Sequence, residues 1–199
     1  SIMLSINHAH GVEIRVAVAS NFKSTAQKIA NEFQKTSPHK ITLISGSTGA
    51  LFGLISHGAP YDIFLSADEK RPQLLIKNGL AKASSLFSYA HGQLTFWSPK
   101  SKNIALDNIK KIIETQTGKL AIANPKLAPY GKSAWDFIEE NDLKQALTGK
   151  LIKGNNITQA LQFIASGNAS SGFVSYSELL HANIDGGYVL LTPDSYPPI

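Results

Sequence analysis

The chain has 199 residues, 43% of them hydrophobic and 17% charged, a balance suited to one large globular domain or two small lobes. It contains no cysteine, which rules out disulfides, thiolate-held metal or iron–sulfur centres and a thiol nucleophile. The net charge of +5 favours anionic partners, but the basic residues are scattered, with Lys70-Arg71 and Lys110-Lys111 the adjacent pairs; no block marks a nucleic-acid track, and a field able to steer a small anion is what is left.

Residues 1–11 combine a short apolar patch, Ile2 to Ile6, with His8 and His10, and read as a disordered tail or the remnant of a signal. From Val12 to Ala19 the chain reads as a buried strand. After Ser20-Asn21 comes a helix whose apolar face is Ala26, Ile29, Ala30 and Phe33, spaced i, i+3, i+4, i+7. Ile41 to Ile44 is a second strand, Gly46-Ser47-Thr48-Gly49 a tight turn, and Ala50 to His57 a short helix burying Leu51, Leu54 and Ile55. Asp62 to Leu65 is the third strand; Ser66 and Glu69 have capping-box spacing for the next helix, with Asp68 an alternative cap.

The second half repeats this cadence. Leu94 to Trp97 reads as a strand, Asp107 as the cap of a helix carrying Ile109, Ile112 and Ile113, and Leu120 to Ala123 as a strand. Pro125 to Gly131 reads as a loop, Ser133 to Glu140 as a helix, Leu151-Ile152 as a strand, and Ile157 to Ser166 as a helix capped at Asn155-Asn156. Gly172 to Ser175 and Tyr188 to Leu191 complete the strands, and Thr192 to Ile199 is a Pro-rich loop. Alternating strands and helices predict an α/β fold with mainly parallel sheets. No apolar run approaches the roughly 18 to 20 residues of a membrane-spanning helix.

Four strand-to-helix junctions share one chemistry: Ser20-Asn21, Ser47-Thr48-Gly49, Tyr130-Gly131-Lys132-Ser133 and Asn155-Asn156-Ile157. A helix start offers N–H groups without intrahelical partners and about half a unit of positive charge, so it holds an anion without a basic side chain. Open α/β sheets place ligands beyond the carboxyl ends of their strands, where these junctions lie. Each junction alone reads more readily as an ordinary N-cap than as a ligand site; it is their coincidence that points to a tetrahedral oxyanion. Asp62 and Asp68 are read as capping or hinge residues, since a carboxylate repels a dianion. His8 and His10 form an H-x-H, but on the expected disordered tail, and the remaining histidines show no ligand spacing; no phosphate loop or nucleophile elbow occurs, and no nucleophile with a base can be assembled, so no catalytic residue, metal site or cofactor is expected.

At these junctions, Val16-Ala-Val-Ala-Ser-Asn-Phe, Ser45-Gly-Ser-Thr-Gly-Ala-Leu, Gly58-Ala-Pro-Tyr-Asp-Ile-Phe-Leu-Ser-Ala-Asp68, Ala123-Asn-Pro-Lys-Leu-Ala-Pro-Tyr-Gly131 and Ala165-Ser-Gly-Asn-Ala169 with Gly172-Phe-Val closely resemble the periplasmic molybdate-binding proteins of ABC importers. The resemblance implies a two-lobed type II periplasmic binding fold with the ligand cleft between lobes, here 12–88 plus 186–199 as lobe 1 and 89–185 as lobe 2. It implies a non-enzymatic, monomeric, periplasmic or membrane-anchored receptor that takes molybdate or tungstate and passes it to an inner-membrane ABC permease. By position it assigns the oxyanion to Ser20, Asn21, Ser47, Thr48, Tyr130 and the backbone of Ile157. Where some relatives carry a ligand tyrosine after Gly-Phe-Val, this chain has Ser175, with Tyr176 one step on. Sulfate or phosphate is the alternative ligand, and an enzyme or a regulatory module on the same scaffold the alternative class.

Overall fold

In a computed structural model the described residues are 11–192 and 198–199; the expected tail, with His8 and His10, and most of the Pro-rich end therefore lie outside them. Two α/β lobes make up the chain. The first is built on a parallel sheet of order β2-β1-β3, with β1 (Glu13–Ala19) between β2 (Lys40–Gly46) and β3 (Ile63–Leu65). Buried Val16, Ala17, Val18 and Ala19 make β1 the centre of that lobe. Asp62 fastens the β1–β3 edge, its Oδ2 accepting from the Arg15 N–H at 2.7 Å while its own N–H donates to the Arg15 carbonyl at 2.9 Å. Helices α1 (Lys23–Gln34), α2 (Thr48–Ser56) and α3 (Lys70–Lys77) follow the three strands, α1 after a 3₁₀ turn at Ser20–Phe22.

The second lobe has a mixed five-stranded sheet of order β6-β5-β7-β4-β8: β4 (Leu94–Ser98), β5 (Leu120–Ala123), β6 (Leu151–Gly154), β7 (Ser171–Ser175) and β8 (Gly187–Leu190). β5 runs parallel to β6 and β7, whereas β4 is antiparallel to both β7 and β8. Around this sheet pack α4 (Ile109–Thr115), α5 (Pro129–Glu140), α6 (Ile157–Ala165) and α7 (Tyr176–Ala182). Most of the largest fully buried side chains belong here, Trp97, Phe96, Phe173, Leu120, Ile122 and Ile138 among them.

Several expectations are corrected. Segment 186–199 was assigned to the first lobe, yet its β8 pairs with β4 from Thr95↔Leu190 to Ser98↔Gly187 and is a strand of the second sheet. Only Ala26 and Ala30 of the expected α1 face are buried; Ile29 and Phe33 stay 57% and 43% exposed, because a three-stranded sheet is too narrow to cover the full helical stripe. Leu54 is likewise exposed. Helix α5 begins at Pro129, four positions before the expected Ser133, since proline is preorganised for the first helical turn and has no N–H to lose there. The capping box of Ser66 and Glu69 does not form: Ser66 Oγ turns to Asp68, and Asp68 Oδ1 accepts from the Arg71 N–H at 3.0 Å. Before α4, Asn108 Oδ1 receives the Ala105 N–H at 3.1 Å, the part expected of Asp107.

The β7 residue Phe173 is fully buried, with its ring 5.3 Å from Phe96 and 5.2 Å from Phe137. Phe173→Ala is therefore expected to cost about 3–5 kcal/mol in urea unfolding through the cavity it opens; a loss under about 1 kcal/mol would contradict this packing.

Candidate functional site

All six residues expected to hold an anion meet at one place. A small hollow between the lobes, about 10 Å³, is lined by Ala19, Ser20, Asn21, Ser47, Thr48 and Ala67 from the first lobe and by Ala128, Pro129, Tyr130 and Ile157 from the second. Each group arrives there because a strand ends and a helix begins: β1 runs into the 3₁₀ turn, β2 into α2, β5 through a short loop into α5, and β6 into α6. Five of the six are buried, Thr48 at 1% exposure, Tyr130 and Ile157 at 2%, Ser47 at 5% and Ser20 at 8%.

Their hydrogen bonds separate structural work from free capacity. Ser47 is the N-cap of α2, its Oγ accepting from the Ala50 N–H at 3.4 Å, and the Thr48 hydroxyl oxygen accepts from the Ala67 N–H at 3.1 Å. Both oxygens accept in these bonds, which leaves each hydroxyl proton available to a ligand. Asn156 caps α6 by accepting from the Gln159 N–H at 2.9 Å, so Ile157 is the first helical residue and its N–H has no carbonyl a turn earlier to meet. Asn21 Nδ2 donates to the Tyr130 hydroxyl oxygen across the cleft at 3.5 Å. Among the described residues no charged side chain lines the hollow, so whatever it holds is met by hydroxyl, amide and peptide donors.

Further bonds close the cleft. The Gly49 N–H, in the first turn of α2, donates to the Leu127 carbonyl at 2.8 Å. Arg71, ion-paired with Asp68, reaches the Lys126 carbonyl at 3.3 Å, and the Ser177 hydroxyl donates to the Asn21 carbonyl at 3.2 Å. Sequence reasoning missed Ala67, Ala128, Pro129 and the Arg71 clamp; the proline at a helix start was the one signal that could have placed Pro129. Ser175 is fully buried with its Oγ 2.8 Å from that of Ser177, and Tyr176 lies against Tyr188; neither lines this hollow. Tyr176 instead lines an adjoining hollow of about 220 Å³ that shares Asn21, Ala67 and Tyr130 with the first. Asp62 and Asp68 are structural, as their bonds show, and no cluster of three or more His, Cys, Asp or Glu able to hold a metal ion occurs among the described residues.

Residues 14–199 match the family described as bacterial extracellular solute-binding protein. The molybdate-binding protein ModA of Azotobacter vinelandii is 40% identical over 194 residues, covering 96% of this chain and 76% of that protein. ModA of Rhodobacter capsulatus is 37% identical over 188 residues, covering 94% and 73%. The solved structure of the Azotobacter vinelandii periplasmic molybdate-binding protein superposes with a TM-score of 0.85 at 34% identity, covering 94% of this chain and 82% of that one.

One titratable group sits directly behind the site. Glu178 of α7 is 8% exposed; one carboxylate oxygen accepts from the hydroxyl of Thr158, next to Ile157 in α6, and the other has no hydrogen-bond partner among the described residues. Burial pushes its carboxyl from 4.5 up to about 7, against the pull of the Thr158 bond. Between those two values the folded carboxyl keeps a proton that the unfolded one has lost. Its contribution is thus complete below about pH 4.5 and is lost as pH rises through about 7, on the order of 3 kcal/mol in all. Glu178→Gln is expected to flatten this part of the urea-unfolding profile between about pH 4.5 and 8; a variant that keeps the wild-type decline would show that Glu178 is not its source.

Proposed function

The chain belongs to the bacterial extracellular solute-binding proteins, and from that premise we propose that it is the molybdate receptor of an ABC importer, with tungstate as a second ligand. The observation that carries the reading is a hollow between two lobes whose walls present only neutral groups, several of them first-turn N–H groups. Such groups stabilise a buried dianion by direct donation and by the partial positive charge of helix starts. A wall without a carboxylate has no strong acceptor for a ligand's proton, which favours fully ionised oxyanions over protonated phosphate. Sulfate has the same charge and shape, so discrimination against it rests on size. The ligand bridges the lobes, the closed form docks on a membrane permease, and the protein works as a monomer in the periplasm or anchored at its membrane face. The relatives named molybdate-binding proteins support this reading.

The deciding measurement is competition: protein incubated with equal molybdate, tungstate and sulfate, then analysed for bound molybdenum, tungsten and sulfur. Molybdenum and tungsten are expected to be retained and sulfur excluded; retention of sulfur alone would overturn the ligand. At about 100 times its dissociation constant, molybdate should add roughly 2.7 kcal/mol of stability. Tyr130→Phe removes a donor to a charged group and is expected to weaken molybdate binding by about 10- to 100-fold with little change in the ligand-free melt. Thr48→Ala is expected to weaken binding too, but also to lower ligand-free stability by about 1–3 kcal/mol, because the buried Ala67 N–H loses its acceptor. Unchanged affinity in both variants would remove these groups from the site.

A further inference from the structure

We infer that Gly92, in the segment linking the lobes, is a positioning residue for Tyr130: its missing side chain is what allows the phenol oxygen to stand at the anion hollow. This rests on the reading of Tyr130 as an anion donor given above. Gly92 precedes β4 at the point where the chain has left the first lobe, and its N–H donates to the Ile199 carbonyl at 2.5 Å. β4 is paired on both sides, Thr95 to Ser98 with β8 and Leu94 to Trp97 with β7, so the segment leading into it has little freedom to retreat. A Cβ placed on Gly92 would lie 2.1 Å from the Tyr130 hydroxyl oxygen, 3.0 Å from its Cζ and 3.3 Å from the Ile199 carbonyl oxygen. The first distance is far inside van der Waals contact, and the tyrosine is a stiff side chain, 2% exposed, in the first turn of α5. Any side chain at 92 must therefore displace the phenol, and with it the oxygen that faces Asn21 across the cleft. The other two contacts are tight by only a few tenths of an ångström. The clash thus belongs to a single atom, the hydroxyl oxygen, and phenylalanine at position 130 would relieve it. Because the same segment joins the lobes, the position of a binding hydroxyl is tied to the path of the interlobe connection.

The test pairs Gly92→Ala with Tyr130→Phe in the full chain. With tyrosine labelled by ¹³C at Cζ, the NMR line missing from Tyr130→Phe identifies Tyr130 among the 6 tyrosines. In ligand-free Gly92→Ala that line is expected to move, and the molybdate dissociation constant to rise by about 10-fold or more. The double variant is expected to bind within about twofold of Tyr130→Phe alone, since the two changes act through one atom. An unmoved line, or a double variant whose loss is the product of the two single losses, overturns the inference. Should Gly92→Ala not fold, recovery of folding in the double variant supports the clash and continued failure overturns it. If the line moves while neither single variant alters molybdate affinity, the coupling of Gly92 to Tyr130 stands and it is the anion reading of Tyr130 that fails.

Discussion

On the reading proposed above, a doubly charged anion taken out of water must be given donors on every side, and no single lobe of this protein owns enough of them. The first lobe brings the starts of the turn at Ser20 and of α2, the second the starts of α5 and α6, and the four meet only when the lobes do. That requirement explains why strands end where they do. Each strand that feeds the hollow gives way, directly or through at most five residues, to a first turn whose N–H groups cannot be paired within the helix.

Charge is kept out of the hollow and used at its margin. Arg71 does not line it; its guanidinium is held by Asp68 and spent on the Lys126 carbonyl of the opposite lobe. Together with the Gly49 and Ser177 contacts this gives a short set of single hydrogen bonds across the cleft, each worth about 0.5–1.5 kcal/mol net, or about 1.5–3 where a charge is involved. Bonds of that size hold a closed arrangement in register without fixing it permanently. A ligand that touches both lobes then supplies the difference between open and closed populations, which a receptor needs if its shape is to report occupancy.

The four junctions were legible because Ser, Thr and Asn before a helix, seen repeatedly at strand ends, carry their chemistry in the local sequence. What the local sequence did not carry was long-range pairing. Tyr188 to Leu191 reads as a strand from its own residues, but whether it joins the first or the second sheet depends on which edge is open, and β4 offered one. Ile29 and Phe33 follow helical spacing faithfully, yet periodicity counts apolar positions without knowing how wide the facing sheet is. Helix α7 was missed for the opposite reason: Tyr176 to Ala182 has little apolar period of its own and is held by burial of Glu178 and Leu179 against the second lobe.

Tyr130 shows how the two kinds of information combine. Pro129 starts α5 immediately after the β5 loop, which puts the tyrosine in the first turn; Gly131 lets that turn pass the end of β5, since a Cβ there would lie 2.4 Å from the Ala123 carbonyl oxygen. On the far side Gly92 admits the phenol oxygen at the interlobe segment. One large, stiff side chain is thus framed by two residues without side chains, one in its own lobe and one on the path between lobes. Backbone on both sides helps to place its hydroxyl, and a site that binds through neutral donors needs its donors held in position.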